Sequence, residues 1–218
     1  MAAGSGTQRA RQARSLAVAA LVGIALYLVA DAVLAILRPD VSLLHDAESD
    51  YGRGPFAWLM DLNFLLRGAL SIAAIGAIDL AADQPARLRI GLGLLAVWAL
   101  ASALLAFVPD SRAGGPLTSS GRIHLLLAVI AFLAATLGIL VLAARLRLEA
   151  TWRPAGMILV VVAIGATIAG LVMGRAMTRV GADGGLDERV FLGLVLLWLA
   201  VAAGQVVRTI PARAGQPA

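Results

Sequence analysis

The sequence predicts an all-α membrane protein, a six-transmembrane-helix bundle with both chain termini in the cytoplasm. Of its 218 residues, 61% are hydrophobic and 14% are charged, whereas soluble domains have about 45–50% apolar and about 25% charged residues. Six long apolar runs recur along the chain, each long enough to cross about 30 Å of hydrocarbon. These runs use most of the sequence and leave no room for a large soluble catalytic domain.

The apolar runs are separated by short segments rich in proline, glycine and aspartate, which interrupt helices. Such breaks include Arg38-Pro39-Asp40, Pro109-Asp110 and the glycines of 114–115 and 181–185. The predicted spans are Ser15–Leu37, Phe56–Leu80, Arg87–Phe107, Arg122–Ala144, Pro154–Arg175 and Glu188–Thr209. Residues 15–209 therefore form one transmembrane domain, and residues 1–14 and 210–218 are predicted to be cytoplasmic tails.

The distribution of arginine predicts the orientation. All 18 basic residues are arginine. Ten of them fall in segments that a cytoplasmic N-terminus would place inside, against seven outside, and cytoplasmic loops carry the basic excess. A basic set without lysine is typical of GC-rich bacterial genomes, so we expect a multi-pass protein of the bacterial cytoplasmic membrane. The arginines lie in short loops rather than on one basic face, which argues against a nucleic-acid partner.

The chain has no cysteine and only two histidines, His45 and His124. The absence of cysteine excludes disulfides and cysteine nucleophiles. Two histidines are too few for a site with three histidine ligands or for two bis-histidine haems. We therefore predict no metal and no cofactor, and no residue is assigned a catalytic role.

Polar residues inside the second span are the main functional candidates, because charge at bilayer depth is costly. Arg67 lies about 17 Å below the outer end of its helix, at 1.5 Å per residue, and shares one helical stripe with Asn63 and Ser71. Asp61 lies on a different face, so Asp31 of the first span is the predicted partner of Arg67. The group is either a pocket that binds an anionic lipid head group or a structural ion pair.

A second polar group opens the fourth span. Arg122 and His124 follow Thr118, Ser119 and Ser120, which can cap a helix N-terminus. A helix N-terminus that carries an arginine and a histidine suits phosphate or carboxylate, although both side chains could simply contact lipid head groups. The predicted ligand-binding residues are Asp31, Asp61, Asn63, Arg67, Ser71, Arg122 and His124.

Small residues in the fifth span indicate close helix packing. Gly170 and Gly174 are four residues apart, which lets two helix backbones approach closely in a bilayer. This pattern predicts either a homodimer face or a contact within the bundle.

Two stretches of the sequence resemble a known family. Residues 54–68, GPFAWLMDLNFLLRG, resemble the second-span signature of a bacterial and archaeal integral-membrane family catalogued as domain of unknown function 998. Residues 121–128, GRIHLLLA, with Asp110 upstream, resemble its second signature. The likeness covers essentially the whole chain. It implies a six-helix membrane protein, with no established activity or cofactor.

Our leading hypothesis is that the protein binds a membrane lipid or small amphiphile from the outer leaflet, and transport of that ligand is an optional extension of the hypothesis. Asp31, Asn63 and Arg67 would form the pocket, with Arg122 and His124 at its rim. The alternatives are a membrane-embedded enzyme that uses His124 with Asp61 or Asp110, an ion-coupled carrier that uses Asp31 and Asp61, and an accessory subunit of a membrane complex.

Overall fold

The protein is a bundle of six α-helices, as the sequence predicts. The structure, a computed structural model, describes residues 2–111, 116–176 and 184–214. The predicted turn at 114–115 and most of the one at 181–185 lie outside the described residues. The helices are α1 (Ala2–Leu37), α2 (Ala57–Ala81), α3 (Arg89–Leu104), α4 (Ser119–Leu146), α5 (Arg153–Ala176) and α6 (Gly184–Ala214). All six are long and apolar enough to cross a membrane, which confirms the predicted spans.

The connections alternate between two ends of the bundle. One end, called the Glu48 end, carries the long connection 38–56 and the 3₁₀ helices Glu48–Gly52 and Leu105–Phe107. The opposite end, called the Asp83 end, carries the 3₁₀ helices Pro85–Leu88 and Ala150–Trp152. There, the backbone N–H of Asp83 donates to Glu149 Oε2 (2.9 Å) and Gln205 Nε2 donates to Thr151 O (2.7 Å). These bonds tie two connections and α6 together.

Helices adjacent in sequence pack side by side, and contacts between α1 and α6 close the bundle. Helix α2 also contacts α6, so it lies against three other helices. Small residues allow the closest approaches: a Cβ added to Gly68 of α2 would lie 2.8 Å from Ala99 O of α3. Between α3 and α4, a Cβ on Gly138 would lie 3.2 Å from Gly91 O. Packing of this kind replaces the hydrophobic effect as the force between helices in lipid.

The bundle interior holds the tryptophans Trp98, Trp152 and Trp198, each at most 1% exposed. Many large apolar side chains face outward instead, such as Val22, Leu133 and Leu171. An apolar exterior is what lipid tails require of a membrane-spanning helix, since they offer no hydrogen bonds.

Helix α1 extends well before its apolar span. It begins at Ala2, and its first part packs on the end of α2, where Ala13 and Ala17 are fully buried. Arg9 donates through Nε to Leu80 O (3.1 Å) and through Nη2 to Asp79 O (3.3 Å). The last four carbonyls of a helix have no partner within it, and Arg9 satisfies two of those of α2. The segment assigned as a tail is thus helical from residue 2.

The orientation is testable because the chain has no native cysteine. We predict that the Glu48 end faces the outside, since the arginine excess lies at the Asp83 end. Leu44 and Ala150 are both exposed, one at each end. In intact cells, a membrane-impermeant maleimide should label Leu44→Cys and leave Ala150→Cys unlabelled until the cells are lysed. Labelling of Ala150→Cys alone would show that the Asp83 end faces the outside, which is the opposite of the predicted topology.

Candidate functional site

The centre of the candidate site is a buried ion pair between α2 and the 38–56 connection. Arg67 Nη1 lies 3.3 Å from Glu48 Oε2, and the two side chains are 2% and 3% exposed. Arg67 Nη1 also donates to the Tyr27 hydroxyl (3.3 Å), and that hydroxyl donates to Glu48 Oε1. The three groups therefore form a closed triangle joining α1, the 3₁₀ helix Glu48–Gly52 and α2.

The prediction that Asp31 pairs with Arg67 was wrong. Asp31 belongs to the same electrostatic cluster, but the ion pair of Arg67 is with Glu48. The predicted partner was chosen only from residues within the transmembrane spans. The 38–56 connection instead folds back into the bundle, and its 3₁₀ helix places Glu48 beside Arg67. Asp31 Oδ1 is buried and has no hydrogen-bond partner among the described residues.

Two arginines fold the 38–56 connection into this position. Arg38 donates through Nε and Nη2 to both oxygens of Asp40 (2.8 Å each) and through Nη1 to Pro55 O (3.1 Å). The bonds to Arg38 lower the pKa of Asp40. Arg53 pairs with Asp50, but burial raises the pKa of Asp50 more than Arg53 lowers it. Gly54, which lies between Arg53 and Pro55, adopts φ +73°, a left-handed conformation that glycine tolerates best.

Aromatic rings surround the Arg67 guanidinium. Its Cζ lies 5.1 Å from the ring centroids of Phe64 and Trp98 and 5.9 Å from that of Tyr27. Cation–π attraction is strongest in such desolvated settings. Ser71, one turn further along α2, donates to Arg67 O (2.7 Å) and accepts from Trp98 Nε1 (3.0 Å).

The predicted polar stripe of α2 is buried at all three positions, with Asn63, Arg67 and Ser71 at most 2% exposed. Asn63 Nδ2 donates to Tyr27 O (3.4 Å), but Asn63 Oδ1 and Arg67 Nε have no hydrogen-bond partner in the described part of the chain. Buried polar atoms are nearly always paired in folded proteins. Both unpaired atoms are closed off from any space that a water molecule could enter, so they belong to the packed interior of the bundle.

Helix α6 contributes two charges that are not among the predicted site residues. Glu188 is 7% exposed, and its Oε2 accepts from the Glu48 backbone N–H (3.1 Å). Arg189 Nη1 donates to Asp46 O (2.8 Å) and Gly185 O (3.1 Å), while its Nε and Nη2 find no partner within the described ranges. Both residues lie near the start of the sixth span and resemble ordinary interfacial charges. No local signal in the sequence places Glu188 beside Arg67 or Arg189 on the 38–56 connection.

A cavity of about 90 Å³ opens beside Arg67 at the Glu48 end. Its polar lining comes from several separate segments of the chain: Ser49, Arg67, Asp110, His124 and Glu188. Its apolar lining includes Phe64, Leu125, Ala128 and Phe132. The cavity is large enough to hold several water molecules or a small head group.

His124 reaches the cavity from α4 and is held in one orientation. Its Nδ1 donates to Val108 O (2.6 Å), and its ring lies edge-on to Phe64 with centroids 6.1 Å apart. With Nδ1 protonated, neutral His124 keeps Nε2 as a hydrogen-bond acceptor. Thr118 caps α4 as expected, since its side chain accepts from Gly121 N (3.0 Å).

Asp110 and Ser49 are joined across the cavity wall. Ser49 Oγ donates to Asp110 Oδ2 (3.0 Å), and Asp110 Oδ1 accepts from the Ser111 N–H (2.6 Å). The cavity therefore brings together a serine, a histidine and a carboxylate from three separate segments of the chain.

Two predicted site residues lie elsewhere. Arg122 is exposed on α4 and donates to Ser119 Oγ (3.3 Å) rather than lining the cavity. Asp61 is half-buried near the start of α2, and no hydrogen bond or ion pair joins it to the described residues. Within the described ranges, no three His or carboxylate side chains are grouped as a metal site.

An apolar groove of about 210 Å³ adjoins the polar cavity. Helices α4, α5 and α6 line it, and it shares Leu125, Ala128 and Phe132 with the cavity. Gly170 and Gly174 form part of its floor. A Cβ on Gly170 would lie 3.3 Å from the Phe191 ring of α6, whereas one on Gly174 would have no described atom within 4 Å. Gly170 thus contacts the bundle itself, and Gly174 is left open.

A family model described as "Protein of unknown function (DUF998)" matches residues 21–205, from within α1 to within α6. The chain belongs to this family. That membership confirms the resemblance found in the second and fourth spans. No curated protein and no solved structure matches the chain.

The Arg67–Glu48 pair should show strong energetic coupling. Glu48→Gln leaves the buried guanidinium without its carboxylate and should destabilise the protein by about 3 kcal/mol. Adding Arg67→Met to that variant removes the stranded charge and should recover part of the loss. Thermal unfolding of the purified single and double variants in detergent gives the coupling free energy. Asp61→Asn, which changes a carboxylate of α2 outside the cluster, serves as control and should change little. Additive effects would contradict the pairing.

Proposed function

We propose that the protein binds a membrane amphiphile, with its head group in the polar cavity and its chain in the apolar groove. The observation that carries this proposal is the adjacency of the two spaces, whose linings share Leu125, Ala128 and Phe132. Ligand sites combine a mostly apolar lining with a few convergent polar groups.

The position of the cavity suggests the source of the ligand. The cavity lies at the Glu48 end, which we predict to face outward, and the groove opens laterally between α4 and α5. An amphiphile in the outer leaflet could therefore insert its chain from the lipid and its head group from the interface. This fits the expected location in the bacterial cytoplasmic membrane.

The groove can be blocked without disturbing the bundle. Gly174 lines it, and a Cβ added there meets no described atom within 4 Å, so Gly174→Leu would occupy space in the groove without a clash at its Cβ. Gly93 of α3 is equally open but lies outside the groove, which makes Gly93→Leu a matched control. Each change adds the same side chain to a transmembrane helix, so effects on helix propensity cancel.

We expect wild type and Gly93→Leu to retain lipid and to bind added dodecanol, and Gly174→Leu to bind dodecanol about tenfold more weakly. That factor equals the loss of about two buried methylene groups. Native mass spectrometry gives the bound fraction and reports the oligomeric state. Unchanged binding in Gly174→Leu would refute the proposal. A dimer lost only in Gly174→Leu would assign the groove to a second copy of the chain.

A second candidate function is acid–base catalysis on the bound amphiphile. The observation favouring it is that His124 Nε2, left as acceptor by the Nδ1 bond, shares the cavity with the hydrogen-bonded Ser49 and Asp110. Histidine is the side chain that most often serves as a general base.

Catalysis and binding are separable by His124→Ala. If the site is catalytic, this variant should keep amphiphile binding and lose turnover of an ester-linked lipid by about 100-fold or more. The measurement is product release from a lipid ester in detergent micelles. Absence of turnover in wild type, or equal turnover in both proteins, would eliminate the enzymatic alternative.

A further inference from the structure

A second cavity lies at the Asp83 end of the bundle, away from the proposed amphiphile site. Its volume is about 180 Å³, and its lining comes from two connections and the helix ends beside them. Arg87 belongs to the 3₁₀ helix before α3, and Arg145 belongs to the last turn of α4. The other polar residues of the lining are Asp83, Gln84 and Glu149. We call this cavity the arginine cleft.

Close packing of α3 against α4 holds the two arginines beside each other. A Cβ added to Gly91 would lie 2.5 Å from Leu142 Cγ, so the two helices approach this closely only because residue 91 is glycine. Gly91 lies four residues after Arg87, and Leu142 lies three residues before Arg145, which is about one helical turn in each case. The contact therefore fixes the two helix ends side by side, one turn from the cleft.

The two carboxylates of the cleft already bind groups of the connections, whereas its two arginines do not. Glu149 Oε2 accepts from the Asp83 backbone N–H (2.9 Å), and Asp83 Oδ2 accepts from Thr151 Oγ1 (2.9 Å). Arg87 and Arg145 are exposed, and within the described part of the chain neither side chain makes a hydrogen bond or an ion pair. A guanidinium is a fork of N–H donors that matches phosphate oxygens. The cleft thus presents two guanidinium groups that are available to a phosphate.

The charge around the cleft also favours an anion. At this end of the bundle, residues 2–14, 79–89, 145–153 and 205–209 carry nine arginines and three carboxylates. The two carboxylates of the cleft are among those three, so an excess of six positive charges remains around it. Such an excess attracts anionic lipids, and basic pockets between transmembrane helices on the cytoplasmic side are typical binding sites of anionic head groups.

The level of the cleft along the bundle favours a lipid over a soluble anion. Arg87 lies in the first turn of one apolar span, Pro85–Phe107, and Arg145 lies in the last turn of another, Ser119–Leu146. The ends of such spans lie at the level of the lipid head groups. Leu148, which also lines the cleft, is 69% exposed and offers an apolar contact. A phosphate that carries acyl chains matches both features.

We propose that the arginine cleft binds the phosphate group of an anionic phospholipid from the leaflet at the Asp83 end. Arg87 and Arg145 donate to the phosphate oxygens, and Leu148 contacts the beginning of an acyl chain. Because that end is predicted to face the cytoplasm, the lipid comes from the inner leaflet. Among the residues described, the cleft shares no lining residue with the groove or with the polar cavity, so this site is independent of the proposed function.

The test measures lipid binding by the whole protein and by variants that each remove one positive charge. Protein in a non-ionic detergent is titrated with dilauroyl phosphatidylglycerol, and native mass spectrometry gives the affinity of each successive bound lipid. Arg87→Gln and Arg145→Gln should each weaken one lipid site about fivefold, and the double variant should weaken it about 25-fold. Arg11→Gln is the matched control, since Arg11 is an exposed arginine of α1 at the same end but outside the cleft. It should leave that site nearly unchanged.

Two further probes identify the source of the phosphate. Dilauroyl phosphatidylcholine has the same chains and a phosphate but no net charge, and inorganic phosphate has no chains. We expect phosphatidylglycerol to bind the cleft at least about fivefold more tightly than phosphatidylcholine, because the surrounding arginines repel the choline. Equal affinities for the two lipids would overturn the preference for an anionic lipid. Displacement of phosphatidylglycerol by inorganic phosphate at equal concentration would assign the cleft to a soluble phosphate and overturn the lipid as its ligand.

The variants decide whether the cleft is a defined site. Equal losses in Arg11→Gln and Arg145→Gln would indicate diffuse attraction to all the arginines of this end, and the proposal would then be wrong. Unchanged phosphatidylglycerol binding in the double variant would overturn it as well. Unfolding midpoints verify that every variant folds, as expected for exposed side chains.

Discussion

The buried triangle of Arg67, Glu48 and Tyr27 is the interaction on which the rest of the site depends. A guanidinium in the middle of a transmembrane helix is tolerated only with compensation. Here a carboxylate, a hydroxyl and three aromatic rings provide it. Because Glu48 comes from a connection rather than a helix span, that connection must fold into the bundle. Three arginines hold the connection in this position: Arg38 and Arg53 pair with carboxylates within it, and Arg189 of α6 donates to its backbone.

The fold could be predicted from the sequence because the bilayer imposes strong rules. Apolar length determined the six spans, and turn residues determined the breaks between them. The period of the helix also identified Asn63, Arg67 and Ser71 as one stripe, and all three are buried. These inferences depend on local patterns, which a single sequence displays directly.

The partners of the stripe could not be predicted in the same way. Glu48 lies in a connection and Glu188 lies four helices further along the chain, so only the tertiary fold brings them to Arg67. Both look like loop or interfacial charges in the sequence. Conversely, Arg122 and Asp61 were selected for their positions along the chain, yet α4 and α2 direct them away from the cavity. Side-chain direction around a helix axis decides such cases, and packing sets it.

The order of residues along the chain has a consequence for how the protein enters the membrane. An arginine at the centre of a helix costs about 2.5–3.5 kcal/mol during insertion. Glu48 precedes Arg67, and Tyr27 precedes both, so the carboxylate and the hydroxyl that compensate the charge are synthesised before it. The hairpin of α1 and α2 can thus leave the translocation machinery with its charge already paired. Glu188 arrives only with α6, after the arginine has been buried.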